Sequence, residues 1–294
     1  MRSRTLVWAA LLAVLAGCRG AAAEDKLLFE KPSQFSTVVV TEDAAGLRTL
    51  WFDRNGVRQS VVKPGDPDHI ELPYARAMPV GLALVEKPER MLIVGLGGGT
   101  LPSFFHKHYP RCKIDVVDID PVVVEAAKQC FGFREDETLR AYVDDGRRFI
   151  ARRPATYDLI FLDAFGSDSI PRHLATREFL GQVRKALTRD GLAMANVWGR
   201  SSNTLYESMV RTYQDAFDEL HVIDVRGAGN KILLAAPRKL ALARGELAER
   251  ATRLSRARQW RFDVGEYVQQ GLQDADQEAR GGRILRDADE PAPQ

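Results

Sequence analysis

Four segments of this chain carry residue types that can hold a nucleoside or move a proton, each at the point where an expected strand stops. The first is Gly95-Leu96-Gly97-Gly98-Gly99. Glycines let a backbone turn sharply and come close to a ligand, with the amides of a following helix start facing it. Thr100 stands where a dinucleotide fingerprint needs its last glycine, so Gly95, Gly97 and Gly99 suit an adenosylmethionine-type site better. The second is Asp118 in V-V-D-I-D-P, placed to accept hydrogen bonds from both ribose hydroxyls of a bound nucleoside. Asp120 has a sufficient role as the cap of a helix whose first residue is Pro121. The third is Val143-Asp144-Asp145-Gly146, where a carboxylate serves either an adenine amino group or the cap of the next helix, and residue types leave both open. The fourth follows Leu162 and runs Asp163-Ala164-Phe165-Gly166-Ser167-Asp168-Ser169-Ile170-Pro171.

The elements needed to position these turns are legible in the apolar runs at residues 91–94, 114–117, 159–162 and 192–197, which alternate with helical stretches. Such runs are strands buried on both faces of a parallel sheet, so the turns gather at its carboxyl edge. Residues 221–225 and 231–235 flank Gly227-Ala228-Gly229-Asn230 and predict a closing antiparallel hairpin. A helix is expected around residues 103–107, and another from Asn203, as its cap, with Leu205, Met209, Phe217 and Leu220 near one stripe. Ahead of the sheet, residues 35–62 are rich in β-branched and aromatic types and predict short hairpin strands; residues 72–85 turn helical, with Met78, Leu82 and Val85 on one face. The expected organisation is a leader over 1–23, a small N-terminal β domain with a linking helix over 27–85, a Rossmann-like nucleotide-binding domain over 86–237, and a charged, solvated helical extension with a tail over 238–294. The fold class is α/β: a class I adenosylmethionine-type sheet, mostly parallel, with an antiparallel C-terminal hairpin.

Bulk properties narrow the partners. With 294 residues, 45% hydrophobic and 28% charged, the chain can build a sizeable core. Its 42 basic and 40 acidic side chains leave a net charge of +2, which supports neither nucleic-acid binding nor attraction to an anionic membrane. Arg2 and Arg4 followed by an apolar run over residues 6–16 form an export leader, too short for the roughly 20 residues of a spanning helix. Leu15-Ala16-Gly17-Cys18 resembles a lipobox, with Cys18 as the lipidated first residue and the only attachment to a membrane, whereas Ala21-Ala22-Ala23 would suit ordinary cleavage. The expected location is therefore periplasmic or membrane-attached, and cytoplasmic if the start codon is misassigned. Of the three cysteines, Cys112 and Cys130 are open to a disulfide after export, and no Cys/His cluster suggests a metal.

Taken in order, G-x-G-x-G, D-I-D-P, D-D-G and Y-D-L-I-F-L-D followed by H-L-A-T-R-E-F resemble the spermidine synthase family, the polyamine aminopropyltransferases, over roughly residues 30–237. Gly56-Val57-Arg58-Gln59 looks like part of its small N-terminal β domain. The resemblance implies transfer of an aminopropyl group from decarboxylated S-adenosylmethionine to a small amine such as putrescine, by a homodimer. It implies Asp163 as the catalytic carboxylate, Asp118 on ribose, Asp145 and Gly146 at adenine, and Gln59 and Tyr74 on the substrate. Several positions depart from the family pattern. Gly98 and Gly166 stand where spermidine-forming members carry aspartates, Phe35-Ser36 replaces a Tyr-Gln pair, and Arg76 replaces the glutamate of Y-x-E. A doubly charged amine needs anionic partners, and Asp168 is a candidate to replace one. His173 is expected either to accept a proton at the mouth of the site or to pack beside a helix start. These departures keep two other readings open: methyl transfer from S-adenosylmethionine, and an exported binding protein that keeps the fold. Export favours the last, because both donors are cytoplasmic metabolites.

Overall fold

The computed structural model describes residues 25–54, 56–165, 170–240 and 243–289. The leader with Cys18, and Gly166 and Asp168 in the fourth turn, lie outside the described residues.

Four strands, β1 (Lys26–Pro32), β2 (Thr37–Glu42), β3 (Arg48–Phe52) and β4 (Arg58–Val62), pair in sequence order as an antiparallel sheet. β1 lies ahead of the expected hairpins; KLLFEKP is mostly exposed and lacks the apolar density that marks the others. Leu50 opposes Ser60 while Trp51 opposes Arg58, so Gln59 is the extra residue of a bulge. The helix expected over 72–85 divides into α1 (Pro73–Ala77) and a tighter 3-10 segment, Met78–Ala83. Pro79 has no N–H to continue the α-helical ladder.

The second sheet is built from β5 (Arg90–Val94), α2 (Thr100–His108), β6 (Lys113–Asp118), α3 (Pro121–Cys130), β7 (Leu139–Val143), α4 (Gly146–Ala151), β8 (Tyr157–Leu162), α5 (Arg177–Ala186), β9 (Leu187–Trp198), α6 (Tyr206–Ala216), β10 (Glu219–Asp224) and β11 (Asn230–Ala236). After these come α7 (Arg244–Ala257), α8 (Val264–Gly271), β12 (Leu272–Gln273) and α9 (Ala275–Glu278). The strand order is β12-β10-β11-β9-β8-β5-β6-β7. Strands β5 to β9 pair in parallel, and β10, β11 and β12 add antiparallel. Period-two alternation divides the core. Met91 and Ile93 face a layer with Phe104 and Phe105 of α2, whereas Leu92 and Val94 face one with Phe149 of α4 and Phe179 of α5. The small sheet rests on α3, where Val38, Val40 and Leu50 meet Val122, Val123 and Phe131.

Two expectations are corrected, and one alternative left open is decided. α6 starts at Tyr206, and Asn203 does not cap it; its Oδ1 accepts the Leu205 N–H in a local turn. Cys112 and Cys130 are free and buried in different clusters. The C-terminal extension is helical but not solvated: Leu247, Ala251, Val264 and Val268 are at most 1% exposed. Its stripe completes one face of the sheet, while Ala279 and Leu285 are buried in the other layer.

Candidate active site

The glycine loop is shaped by its neighbour across the sheet. At Gly95, with φ +99°, a Cβ would lie 2.3 Å from the Asp163 carbonyl oxygen, so only glycine lets the ends of β5 and β8 come this close. Gly97 and Gly99 also have positive φ, and Gly99 directly precedes α2. Gly98 has an ordinary φ, but a Cβ there would meet Ser60 Oγ, Val62 Cγ2 and Phe131 Cδ1 at 3.0–3.1 Å. A side chain there would need those of Ser60, Val62 and Phe131 to give by a few tenths of an ångström.

Asp118, at the end of β6, braces this loop. Its Oδ2 accepts the Leu96 N–H at 2.8 Å and its Oδ1 the Asp120 N–H at 2.9 Å, while burial pushes its carboxyl up to about 6. Asp120 caps α3 as expected, accepting the Val122 N–H at 2.8 Å. After β7, the two aspartates differ in their partners. Asp145 caps α4 through Oδ1, which accepts the Arg148 N–H at 2.8 Å, and its Oδ2 lies 3.1 Å from His173 Nε2. Asp145 also lines the cavity, whereas Asp144 pairs with Arg148 and Arg152. Gly146 brings the start of α4 against β5, since a Cβ there would sit 2.6 Å from Val94 Cγ1.

Asp163 closes β8, its N–H donating to the Val94 carbonyl at 2.8 Å. Its Oδ1 accepts a 2.9 Å bond from Asn196 Nδ2, and Asn196 Oδ1 accepts one of 2.9 Å from Asn230 Nδ2. The Tyr74 hydroxyl, which donates to the Gln59 carbonyl at 3.4 Å, lies near the carboxylate, and burial pushes the Asp163 carboxyl up to about 7 despite the Asn196 bond. Burial and the adjacent Asp163 push the Tyr74 hydroxyl well above its ordinary range, so it stays protonated. A carboxyl poised near neutral pH, oriented by the Asn196 amide, is suited to accept a proton. Asn196 and Asn230, 2% and 4% exposed, had no part in the sequence reading. The signal was present: each is an amide within or at the end of an apolar run, where a buried polar group requires a partner.

These groups line one cavity of about 600 Å³, together with Gln59, Phe35, Ser36 and His173. Gln59 donates to the Val57 carbonyl at 3.3 Å. His173 joins Asp145, at the opposite end of the strand order from the Asn196–Asn230 pair. Arg76, in place of a family glutamate, does not line the cavity: its Nε donates to the Ile70 carbonyl, and its charge acts on Tyr267 of α8.

Residues 74–221 match the spermine/spermidine synthase domain. A polyamine aminopropyltransferase from Vibrio vulnificus (strain CMCP6) is 36% identical over 219 residues, 72% of each chain. The eEF1A lysine and N-terminal methyltransferase of Mus musculus is 34% identical over 209 residues, 65% of this chain and 30% of that protein's length. The crystal structure of a probable spermidine synthase from Corynebacterium glutamicum ATCC 13032 superposes with a TM-score of 0.73 at 21% identity, over 90% of this chain and 98% of that one, which shows the shared fold. The domain match runs from Tyr74 to His221 and so takes in the glycine loop, Asp118, Asp145, Asp163 and Asn196; the chain belongs to the spermine/spermidine synthase family.

Proposed function

We propose that this protein transfers an aminopropyl group from decarboxylated S-adenosylmethionine to the nitrogen of a small amine. The observation that carries the reading is Asp163: a buried carboxyl pushed up to about 7, beside the glycine loop and facing the same cavity as Asp118 and Asp145. Gly95 and Gly97 give a nucleoside room against bare backbone, Asp118 takes the ribose hydroxyls, and Asp145 takes the adenine end. The amine nitrogen attacks the carbon joined to sulfur in line, the carbon–sulfur bond breaks, and methylthioadenosine leaves with the electron pair. The nitrogen's proton passes to Asp163. Mass spectrometry of small amines incubated with the protein and each donor tests this directly. A gain of one aminopropyl unit, lost in Asp163→Asn, is the expected result; no product with the decarboxylated donor overturns it.

Gly98 favours a second reading, methyl transfer from S-adenosylmethionine. Family members that make spermidine place an aspartate there, near the donor's amino group, whereas here the residue is glycine, with the Ser60, Val62 and Phe131 side chains close against it. The similarity to a methyltransferase agrees with this reading. A methyl gain in the same experiment would select it. Export with a lipid on Cys18 is a separate proposal, which would require a donor supply outside the cytoplasm; lipid labelling that persisted in Cys18→Ser would refute it.

A further inference from the structure

The cavity wall at Asp145 is backed by residues from far along the chain. His173 sits in the 3-10 turn Arg172–Leu174, with its Nε2 3.1 Å from Asp145 Oδ2. A carboxylate only accepts, so that nitrogen carries the proton. Arg147, in the first turn of α4, donates through Nη1 to the His173 carbonyl at 3.2 Å. Asp287 grips the same guanidinium in a two-pronged pair: its Oδ1 accepts from Nη1 at 2.8 Å and its Oδ2 from Nη2. That guanidinium holds the Asp287 carboxyl below the usual carboxylate range, so the pair stays charged. The backbone around Asp287 is fixed in turn. Its N–H donates to Glu178 Oε2 at 3.0 Å, and the Leu285 carbonyl accepts the Arg177 N–H at 2.8 Å. Leu285 is fully buried, with its N–H donating to Thr212 Oγ1 at 2.9 Å. Moored on α5 and α6, the segment 285–287 presents Asp287 to the arginine behind the His173 turn.

We infer that Asp287 and Arg147 are positioning residues for donor binding: together they hold His173 against Asp145 and so aim the Asp145 carboxylate at the adenine amino group. The inference deepens the transfer reading above and rests on it for Asp145 at the adenine end. Asp145 Oδ1 is taken by the Arg148 N–H, which leaves Oδ2 as the oxygen for a ligand. Such an oxygen accepts along two directions, so His173 occupies one and leaves the other to the amino group. Without His173 the carboxylate is free to turn, and part of the amino group's bond would be lost to ordering it. An arginine–carboxylate fork fixes direction as well as distance, which a single ammonium does not. The Arg147 and Asp287 side chains are 21% and 41% exposed, so their pair is partly screened and contributes little to folding. Its effect belongs to the ligand.

The test is calorimetry on the full chain with methylthioadenosine and with methylthioinosine, in which a carbonyl oxygen replaces the 6-amino group. The intact protein should bind methylthioadenosine roughly tenfold or more tightly, as a hydrogen bond to a charged group requires. Asp287→Asn, which keeps the shape and loses the charge, should cut that preference to roughly threefold or less. Arg147→Lys, which keeps the charge and loses the fork, should do the same. In an Asp145→Asn background neither substitution should change the preference further, and both single variants should melt close to the intact protein. A preference kept in full by both variants overturns the inference and leaves Asp145 at the adenine end. Equal weakening of both nucleosides with a lowered melting temperature would make the pair structural only, and overturns it too. If the intact protein shows no preference, Asp145 does not face the amino group and the inference falls with that placing; binding of neither nucleoside overturns the transfer reading as well.

Discussion

Asn196 on β9 donates to Asp163 on the adjacent strand β8 at 2.9 Å, and is itself held at 2.9 Å by Asn230 at the start of β11. Side-chain amides do not change charge near neutral pH, so this chain of donors fixes one carboxylate oxygen as an acceptor throughout the working range. Asn196→Ala should lower kcat roughly 10- to 100-fold with a smaller change in KM. It should also move the ionisation of Asp163 upward, because the lost bond favours the charged form. Asn230, then buried without its acceptor, should reduce stability by about 1–3 kcal/mol in denaturant unfolding. An unchanged pH profile in this variant would leave Asn196 with a structural role only.

Activity should depend on pH through Asp163. The group accepts a proton only when ionised, and burial pushes it up to about 7. The kcat/KM profile should therefore rise through neutral pH, not through the usual carboxylate range near 4. Asp118, pushed up to about 6, ionises on the same limb and should steepen it. A profile already flat between about pH 5 and 8 would exclude Asp163 as the base.

The same shift predicts a trade between stability and activity. A carboxyl whose folded-state value lies above its unfolded value destabilises the fold when ionised. The penalty is absent below the unfolded value near 4, grows as pH rises, and is complete above about 7. Asp163→Asn should thus raise the melting temperature more at about pH 8 than at about pH 5, while turnover falls by roughly 100-fold or more. Equal shifts at both pH values would contradict the buried, neutral-poised carboxyl.

Restoring the family aspartate should not restore family behaviour. In Gly98→Asp, the new Cβ meets Ser60, Val62 and Phe131 at 3.0–3.1 Å before its carboxylate is placed. The variant should lose roughly 1–3 kcal/mol of stability through overpacking. It should show no gain in turnover with the decarboxylated donor. A clear gain would mean that β4 yields easily.

Truncation after residue 240 tests the corrected view of the C-terminal extension. It would uncover the sheet face that Leu247, Ala251, Val264 and Val268 cover. Apolar surface stabilises by about 25 cal/mol per Å² when buried, so the truncated chain should aggregate or melt far below the intact one. A soluble protein with unchanged melting behaviour would show these helices to be dispensable.

The fold and the placing of the strand-end turns were legible because both depend on local order. Apolar runs of strand length, each stopped by glycine or aspartate, determine where the chain turns, and a parallel sheet then brings those turns to one edge. That reasoning placed Gly95, Asp118, Asp145 and Asp163 together. The rest depended on contacts distant in sequence. Asn196 and Asn230 read as stray amides in strands until β8, β9 and β11 lie side by side, since the partner of a buried polar group is set by strand order. The charged extension read as solvated because its residues 247, 251, 254, 264 and 268 form an apolar stripe only when α7 and α8 fold back together. Arg76 read as a charge in the site, yet its direction was decided by Ile70 and Tyr267, the latter on a helix far along the chain. Sequence determined which residues end the strands; tertiary structure decided which of them share an environment, because burial and hydrogen bonding belong to neighbours in space.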